Sequence, residues 1–179
     1  MKRLIVFRHG NYQNQELTIR AAKEVYARAK LIGEFVGQAD LILTSPALRA
    51  DQTAQVIAKA MGEPDIIEEP LLNEKYGYDK DLFEEKILDE VADSGYRNVV
   101  VVTHYPNICQ MFKVGLEPGM EIILEAQEWK NIFEGRPSNL STKIPDHRGD
   151  ALEQYYAPRC CEEDLQKLDE IDFLRGRVL

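Results

Sequence analysis

At 179 residues the chain fits one domain, and its 44% apolar content suffices for a single core of sheet and helices. A net charge of −9 sets it against nucleic acid and anionic membranes as partners, since both need a basic face that releases counterions. The same charge disfavours heavily anionic substrates, which the outer field repels.

Residues 3–7 predict a first strand, apolar on both faces, as in the middle of a parallel sheet covered by helices. It runs into Arg8-His9-Gly10. A permanent cation and an imidazole thus arrive at a strand's carboxyl end, where open α/β sheets gather ligands, followed by a glycine that lets the chain turn sharply. Thr18 then offers a cap for a helix whose Ala22, Val25, Ala29, Ile32 and Val36 recur at three- and four-residue steps and end near Gly37. Strand 40–44 leads into a helix over 46–61, with Ser45 as N-cap and Pro46 at the first helical position, which places Arg49 in the first turn. Ala50, Ala54, Ile57 and Met61 form its buried stripe and Gly62 closes it.

From Pro64 to Tyr78 the chain is turn-rich and reads as a loop over the strand ends. A helix over about 80–94 carries Phe83, Ile87 and Val91 at fourfold spacing. Strand 98–103 delivers His104, and Pro106 turns the chain into a further helix near 107–115. Residues 121–125 predict another strand, with the pattern of an edge. Residues 126–159 hold the one Trp, several prolines and no clear period, and His147 and Arg148 beside Asp146 read as a loop or salt-bridge cluster. An acidic helix over 161–175, with Leu165, Leu168, Ile171 and Phe173 near helical spacing, would close the core. The alternation of strands and helices implies right-handed crossovers and an α/β three-layer sandwich, with a mostly parallel central sheet flanked by helices. One domain spans 1–179, of which 126–179 is a poorly defined carboxy-terminal extension.

The cysteines, Cys109, Cys160 and Cys161, are odd in number and lack C-x-x-C spacing. The adjacent pair can hardly bridge without strain, so a reduced cytoplasmic setting is the simpler reading, and zinc ligation together with His147 is not expected. Only four apolar residues separate Arg3 from Arg8, too few for a signal-peptide core, and no apolar stretch approaches membrane-spanning length.

Three segments belong together: Arg8-His9-Gly10, the run T-S-P-A-L-R-A-D-Q-T-A at 44–54, and V-V-V-V-T-H-Y-P-N at 99–107. In this order they resemble the histidine phosphatase superfamily, the phosphoglycerate-mutase-like proteins, and are most similar to its small SixA-like phosphohistidine phosphatase branch. The resemblance covers roughly residues 1–125. It implies that His9 is the nucleophile, that Arg8, Arg49 and His104 hold the phosphoryl group with Gly10 beside them, and that no metal or cofactor takes part. Glu74, in the stretch Leu72-Asn73-Glu74-Lys75-Tyr76-Gly77, matches the position of the family's acid. Many mutase-like members carry an Asn shortly after R-H-G; Asn11 and Asn14 are near, but neither fits that spacing. The L-T-x-x-G segment of SixA-like members stands here as Leu17-Thr18-Ile19-Arg20-Ala21, with Ala where Gly is usual, a change that touches helix packing.

The chemistry of these residues points the same way. A phosphoryl group in transfer spreads charge over three equatorial oxygens, so several fixed donors must surround one in-line nucleophile. Guanidinium forks donate two parallel bonds and stay charged at any working pH. His9 must be neutral at one ring nitrogen to attack phosphorus, and two neighbouring arginines favour that form. His104 would donate to an equatorial oxygen, and the like charge of a bound phosphate would favour the protonated, donating form of Glu74. The expected activity is a metal-independent phosphatase acting on a phosphomonoester or a phosphohistidine, on a small molecule or a phosphoprotein, through a phosphohistidine on His9. Mutase-type phosphoryl transfer and a phosphate-recognition module without turnover are the alternatives. Oligomeric state is not legible in the sequence.

Overall fold

Leu4, Ile5, Val6 and Phe7 are wholly buried, so the strand that carries them, β1 (Lys2–Arg8), is covered on both faces. This is the arrangement in a computed structural model of the chain, which describes residues 1–74, 79–91, 94–134, 137–139 and 161–177. A hairpin follows, β2 (Tyr12–Gln13) with β3 (Glu16–Leu17), and then the long helix α1 (Ile19–Val36). Thr18 caps α1 by accepting from the Ala21 amide, and Gly37 ends it at φ 95°, a conformation that favours glycine.

The chain continues through β4 (Leu41–Thr44), α2 (Leu48–Ala60), β5 (Asp65–Glu68), a 3-10 turn (Pro70–Leu72), α3 (Lys80–Val91), β6 (Asn98–Thr103) and α4 (Tyr105–Phe112). It ends with β7 (Glu121–Ala126), α5 (Trp129–Glu134), β8 (Ser138–Asn139) and α6 (Glu162–Asp169). Among the described residues six strands form one sheet in the order β5-β4-β6-β1-β7-β8. The first four run parallel, and β7 and β8 are antiparallel to their neighbours.

Period-two alternation divides the strand side chains between two apolar layers. Ile5, Phe7, Ile42, Val100 and Val102 face α1 and α2, where Val25, Ile32, Ala54 and Ile57 are buried; Leu168, Ile171 and Leu174 join this layer from α6 and the turns after it. Leu4, Val6, Leu41, Leu43, Val99 and Val101 face Phe83, Ile87 and Val91 of α3, Ile108 of α4, and Trp129 and Ile132 of α5. The expected three-layer α/β sandwich is what forms, and the acidic carboxy-terminal helix closes its core.

Several boundaries differ from the sequence reading. The second helix begins at Leu48, because Ser45 turns its hydroxyl to His104 and Ala47 takes an extended N-cap conformation. The expected loop from Pro64 contains the strand β5, whose Ile66 and Ile67 pair with Ile42 and Leu43 on the sheet edge. The helix after His104 starts at once, at Tyr105, and ends where Lys113 adopts the left-handed conformation at φ 56°. β7 is internal, since β8 pairs along its outer side. The cluster around Asp146, His147 and Arg148, along with Cys160, lies outside the described residues; Cys109 and Cys161 are free thiols. No helix among the described residues is long and apolar enough to cross a membrane.

Candidate active site

β4, β6 and β1 lie side by side, and the carboxyl end of each passes directly into a segment bearing a polar side chain. β1 ends in Arg8 and His9, β4 in Ser45 with Arg49 one turn further on α2, and β6 in His104. Backbone bonds extend the sheet into these segments: the His9 amide donates to Thr103 O at 3.0 Å and the Ser45 amide to Val102 O at 3.0 Å. The Gly119 amide donates to the carbonyls of Arg8 and His9, each at 3.1 Å, which fixes the turn from the other side.

The hydrogen-bond partners assign both imidazole tautomers. His9 Nδ1 lies 2.9 Å from the carbonyl oxygen of Gly10, which can only accept, so Nδ1 carries the proton and Nε2 the lone pair. Arg49 points its Nε–H at that lone pair from 3.2 Å. At His104 the order is reversed: Nδ1 accepts from Arg49 Nη2 at 3.2 Å, and the protonated Nε2 donates to Ser45 Oγ at 2.8 Å. The two rings meet edge to face with centroids 5.1 Å apart.

Both histidines are therefore neutral. Burial is the main cause, lowering the pKa of His9 to about 4, with the charges of Arg49 and Arg8 acting in the same direction and the Gly10 bond and Glu74 opposing them. The pKa of His104 is likewise lowered to about 4 by burial first, then by His9 and Arg49. The arginines do favour a neutral His9, as the sequence implied, and desolvation acts in the same direction as the larger cause.

Arg49 is the hub. Besides the two imidazoles it donates to Gln15 Oε1 at 2.8 Å and to Glu74 Oε1 at 2.5 Å, and it stacks on Tyr12 with 4.8 Å to the ring centroid. Glu74 Oε2 is 3.8 Å from His104 Nδ1. The peptide that leads to Glu74 is anchored at Leu72 O, which accepts from Thr103 Oγ1 at 2.9 Å and Asn107 Nδ2 at 2.8 Å. His9, Arg49, His104 and Glu74 thus share one contact network.

Arg8 stands at its flank. As the strand neighbour of His9 its side chain leaves toward the other face, where Nη1 donates to Leu116 O at 2.8 Å and the guanidinium lies 5.0 Å from the Tyr105 ring. Its Nε is buried without a hydrogen-bond partner among the described residues.

Gly10 makes the turn out of β1 without a positive φ. A Cβ there would lie 2.6 Å from Leu17 Cδ1, so any larger residue would force the Leu17 side chain to shift. Its amide is already committed to Thr53 Oγ1 at 3.1 Å, while its carbonyl orients His9. The sequence reading did not single out Tyr12, Gln15, Gln52 or Thr53 as parts of the site. Gln52 Oε1 accepts from the Leu17 amide at 2.7 Å, so the Gln-Thr pair of α2 holds both the R-H-G turn and the hairpin. The hairpin's signal was Asn14, a turn former between two polar-apolar pairs; Asn14 and Gln15 take φ 52° and 71°.

Solved structures of similar fold include the protein histidine phosphatase SixA complexed with tungstate, at 19% identity and TM-score 0.60, covering 76% of this chain and 93% of that one. Phosphoserine phosphatase from Entamoeba histolytica, in complex with 3-phosphoglyceric acid, shares 19% identity with TM-score 0.54 over 85% of this chain and 100% of its own. Phosphoglycerate mutase from Plasmodium falciparum shares 19% with TM-score 0.52 over 77% and 87%. No curated protein sequence matches the chain. His104 falls beyond the span of the family match, and its place in the site rests on the contacts described above. Residues 4–94, just over half of the chain and including both the R-H-G turn and the arginine of α2, match the histidine phosphatase superfamily (branch 1), and this protein belongs to that family.

Proposed function

We propose that this protein is a metal-independent phosphatase that hydrolyses a phosphomonoester or a phosphohistidine through a covalent intermediate on His9 Nε2. The observation that carries the reading is the fixed tautomer of His9: Nδ1–H is tied to Gly10 O, so the lone pair of Nε2 faces the Arg49 guanidinium, 3.2 Å away. A neutral imidazole held this way is a nucleophile already in its reactive form, with a phosphate-binding cation beside it.

An incoming phosphate takes the place of the Glu74 carboxylate and of His9 on Arg49, and Arg8 joins it by turning its guanidinium in from Leu116 O at the flank of the site. His9 Nε2 then bonds to phosphorus as the bond to the leaving oxygen breaks. Glu74, released from Arg49 beside the bound dianion, takes up a proton from solvent, and the leaving oxygen receives that proton, or one from water when the leaving group is good. Water attacks the phosphohistidine, the N–P bond breaks with its electron pair returning to Nε2, and the water proton passes to Glu74, releasing inorganic phosphate. Arg49 and His104 stay neighbours of the transferring oxygens throughout.

Glu74 is 42% exposed, so water reaches the carboxyl that would activate it, which favours hydrolysis over return of the phosphoryl group to an acceptor. The test is turnover of a chromogenic phosphate ester with and without His9→Ala. His9-dependent release of phosphate, with an acid-labile, base-stable phosphoenzyme trapped during turnover, supports the reading. Tight vanadate binding without any turnover assigns a recognition module instead.

A further inference from the structure

Three large apolar side chains stand exposed beside residues of the site, Tyr12 against His9 and Arg49, Leu48 next to Arg49 on α2 and Tyr105 next to His104, each just past the end of a different strand. Tyr12, Leu48 and Tyr105 are each 46% exposed, and they follow β1, β4 and β6 respectively. The other exposed large apolar residues among the described residues are dispersed: Met1 precedes β1 and Phe35 lies near the end of α1, at the far end of the sheet, while Ile67 is on the edge strand and Leu82 on α3. Both tyrosines lie on the arginines, Tyr12 4.8 Å from Arg49 and Tyr105 5.0 Å from Arg8. Tyr12 also meets the His9 ring edge to face at 5.4 Å.

In-line attack from His9 Nε2 puts the leaving oxygen on the side of phosphorus away from the buried imidazole, toward this rim. A phosphate held on Arg49, with Arg8 turned in from the flank, therefore carries its organic part between the side chains beside those arginines. Charge narrows the choice further. Glu74 presents an exposed carboxylate to the same mouth, and the chain carries −9 overall, so a leaving group with its own carboxylate or second phosphate meets like charge. Aromatic and aliphatic rim residues instead favour a flat, uncharged ring.

We infer that Tyr12, Leu48 and Tyr105 form an apolar rim that selects monophosphates with an uncharged aromatic leaving group. This rests on the proposed phosphatase reading and deepens it.

The experiment compares phenyl phosphate with 1-naphthyl phosphate, whose phenols leave with similar ease, in the wild type, Leu48→Ser, Tyr105→Ser and Tyr105→Leu. The wild type should prefer the naphthyl ester through a lower KM at similar kcat, and each Ser substitution should raise the naphthyl KM about fivefold to tenfold. Tyr105→Leu should keep much of the preference. Calorimetric binding of phenylphosphonate against methylphosphonate reads the same rim where turnover is absent. Equal kcat/KM for the two esters, or a preference that survives the Ser substitutions, overturns the inference while His9-dependent hydrolysis still stands. Hydrolysis that persists in His9→Ala sinks the phosphatase reading instead.

Discussion

Arg49 holds the lone pairs of two histidines at once, with Nε on His9 Nε2 and Nη2 on His104 Nδ1, both at 3.2 Å. One guanidinium therefore sets the protonation of both rings, since neither nitrogen facing it can carry a proton without bringing two donors together. Its remaining donors reach Gln15 and Glu74. In the proposed mechanism an entering phosphate must exchange these bonds, so its binding and the freeing of the His9 lone pair pass through the same side chain.

Replacing Arg49 should consequently damage the rate more than the fold. For Arg49→Ala, kcat/KM toward a phosphate ester should fall by about a hundredfold to a thousandfold, the range seen when one preorganised donor is removed. Arg49→Lys should recover little of this, because a point charge cannot span two imidazoles and a phosphate. Steady-state kinetics and vanadate affinity check both, with near-normal kcat/KM in the Lys variant as the adverse result.

The lowered pKa values of the histidines make a second forecast, in solution pH. Imidazole resonances of His9 and His104 should remain those of neutral rings at pH 5.5 and change near pH 4. For stability the sign follows from proton uptake. Between the ordinary histidine pKa of 6.5 and about 4 the unfolded chain binds protons that the folded one refuses. The histidine contribution is thus intact above 6.5 and is lost as pH falls toward 4. Thermal unfolding followed across that window should show the decline, and His9→Asn should make it shallower.

Gly10 offers a test of packing at the same turn. An alanine Cβ would meet Leu17 Cδ1 at 2.6 Å and Ala21 Cβ and Val25 Cγ2 at 3.3 Å, all in the layer between β1 and α1. Gly10→Ala should lower stability by about 1–3 kcal/mol, the usual range for overpacking, and reduce activity by displacing His9. Chemical denaturation reads the first effect. An unchanged midpoint would mean that the hairpin yields freely.

The parallel strands and the long helices were legible in the sequence because apolar runs and three- and four-residue spacing are strong local signals, whereas the convergence of His9, Arg49 and His104 was implied by the resemblance of the three segments that carry them. The two-residue strands β2, β3 and β8 leave no periodicity to detect, and β5 hides two isoleucines among acidic residues. Gln15 and Tyr12 join the site only through the hairpin's positive-φ turn, and Arg8 turns from His9 because neighbours on a strand face opposite ways. Contacts of that kind depend on tertiary placement.

Behind the site, Arg28 on α1 donates to both carboxylate oxygens of Glu121, at 2.6 and 2.9 Å, and both side chains are almost wholly buried. Glu121 opens β7, directly after the Gly119-Met120 turn that bonds to the backbone of Arg8 and His9. Glu121→Ala should lower stability by about 3–5 kcal/mol, since it strands much of a buried cation. The pair Arg28→Met with Glu121→Leu should regain most of that loss. Denaturation of the three variants measures it, and additive losses in the double variant would argue against coupling.

Glu74 holds the place on Arg49 that a phosphate oxygen would take, with one oxygen 2.5 Å from Nη2 and the other 3.8 Å from His104 Nδ1. Removing its charge should therefore act in opposite directions on binding and on turnover. Glu74→Gln leaves a neutral amide that competes less for the guanidinium, so inorganic phosphate or vanadate should bind about threefold to tenfold more tightly, a modest gain because the carboxylate is partly exposed and screened. The same variant loses the proton donor, and hydrolysis of an ester with a poor leaving group should slow by on the order of a hundredfold, with a smaller effect where the leaving group departs unaided. Calorimetry with vanadate and kinetics on a pair of esters differing in leaving-group acidity separate the two effects. Weaker anion binding together with slower turnover would make Glu74 a support for Arg49, and an unchanged rate would remove it from the mechanism.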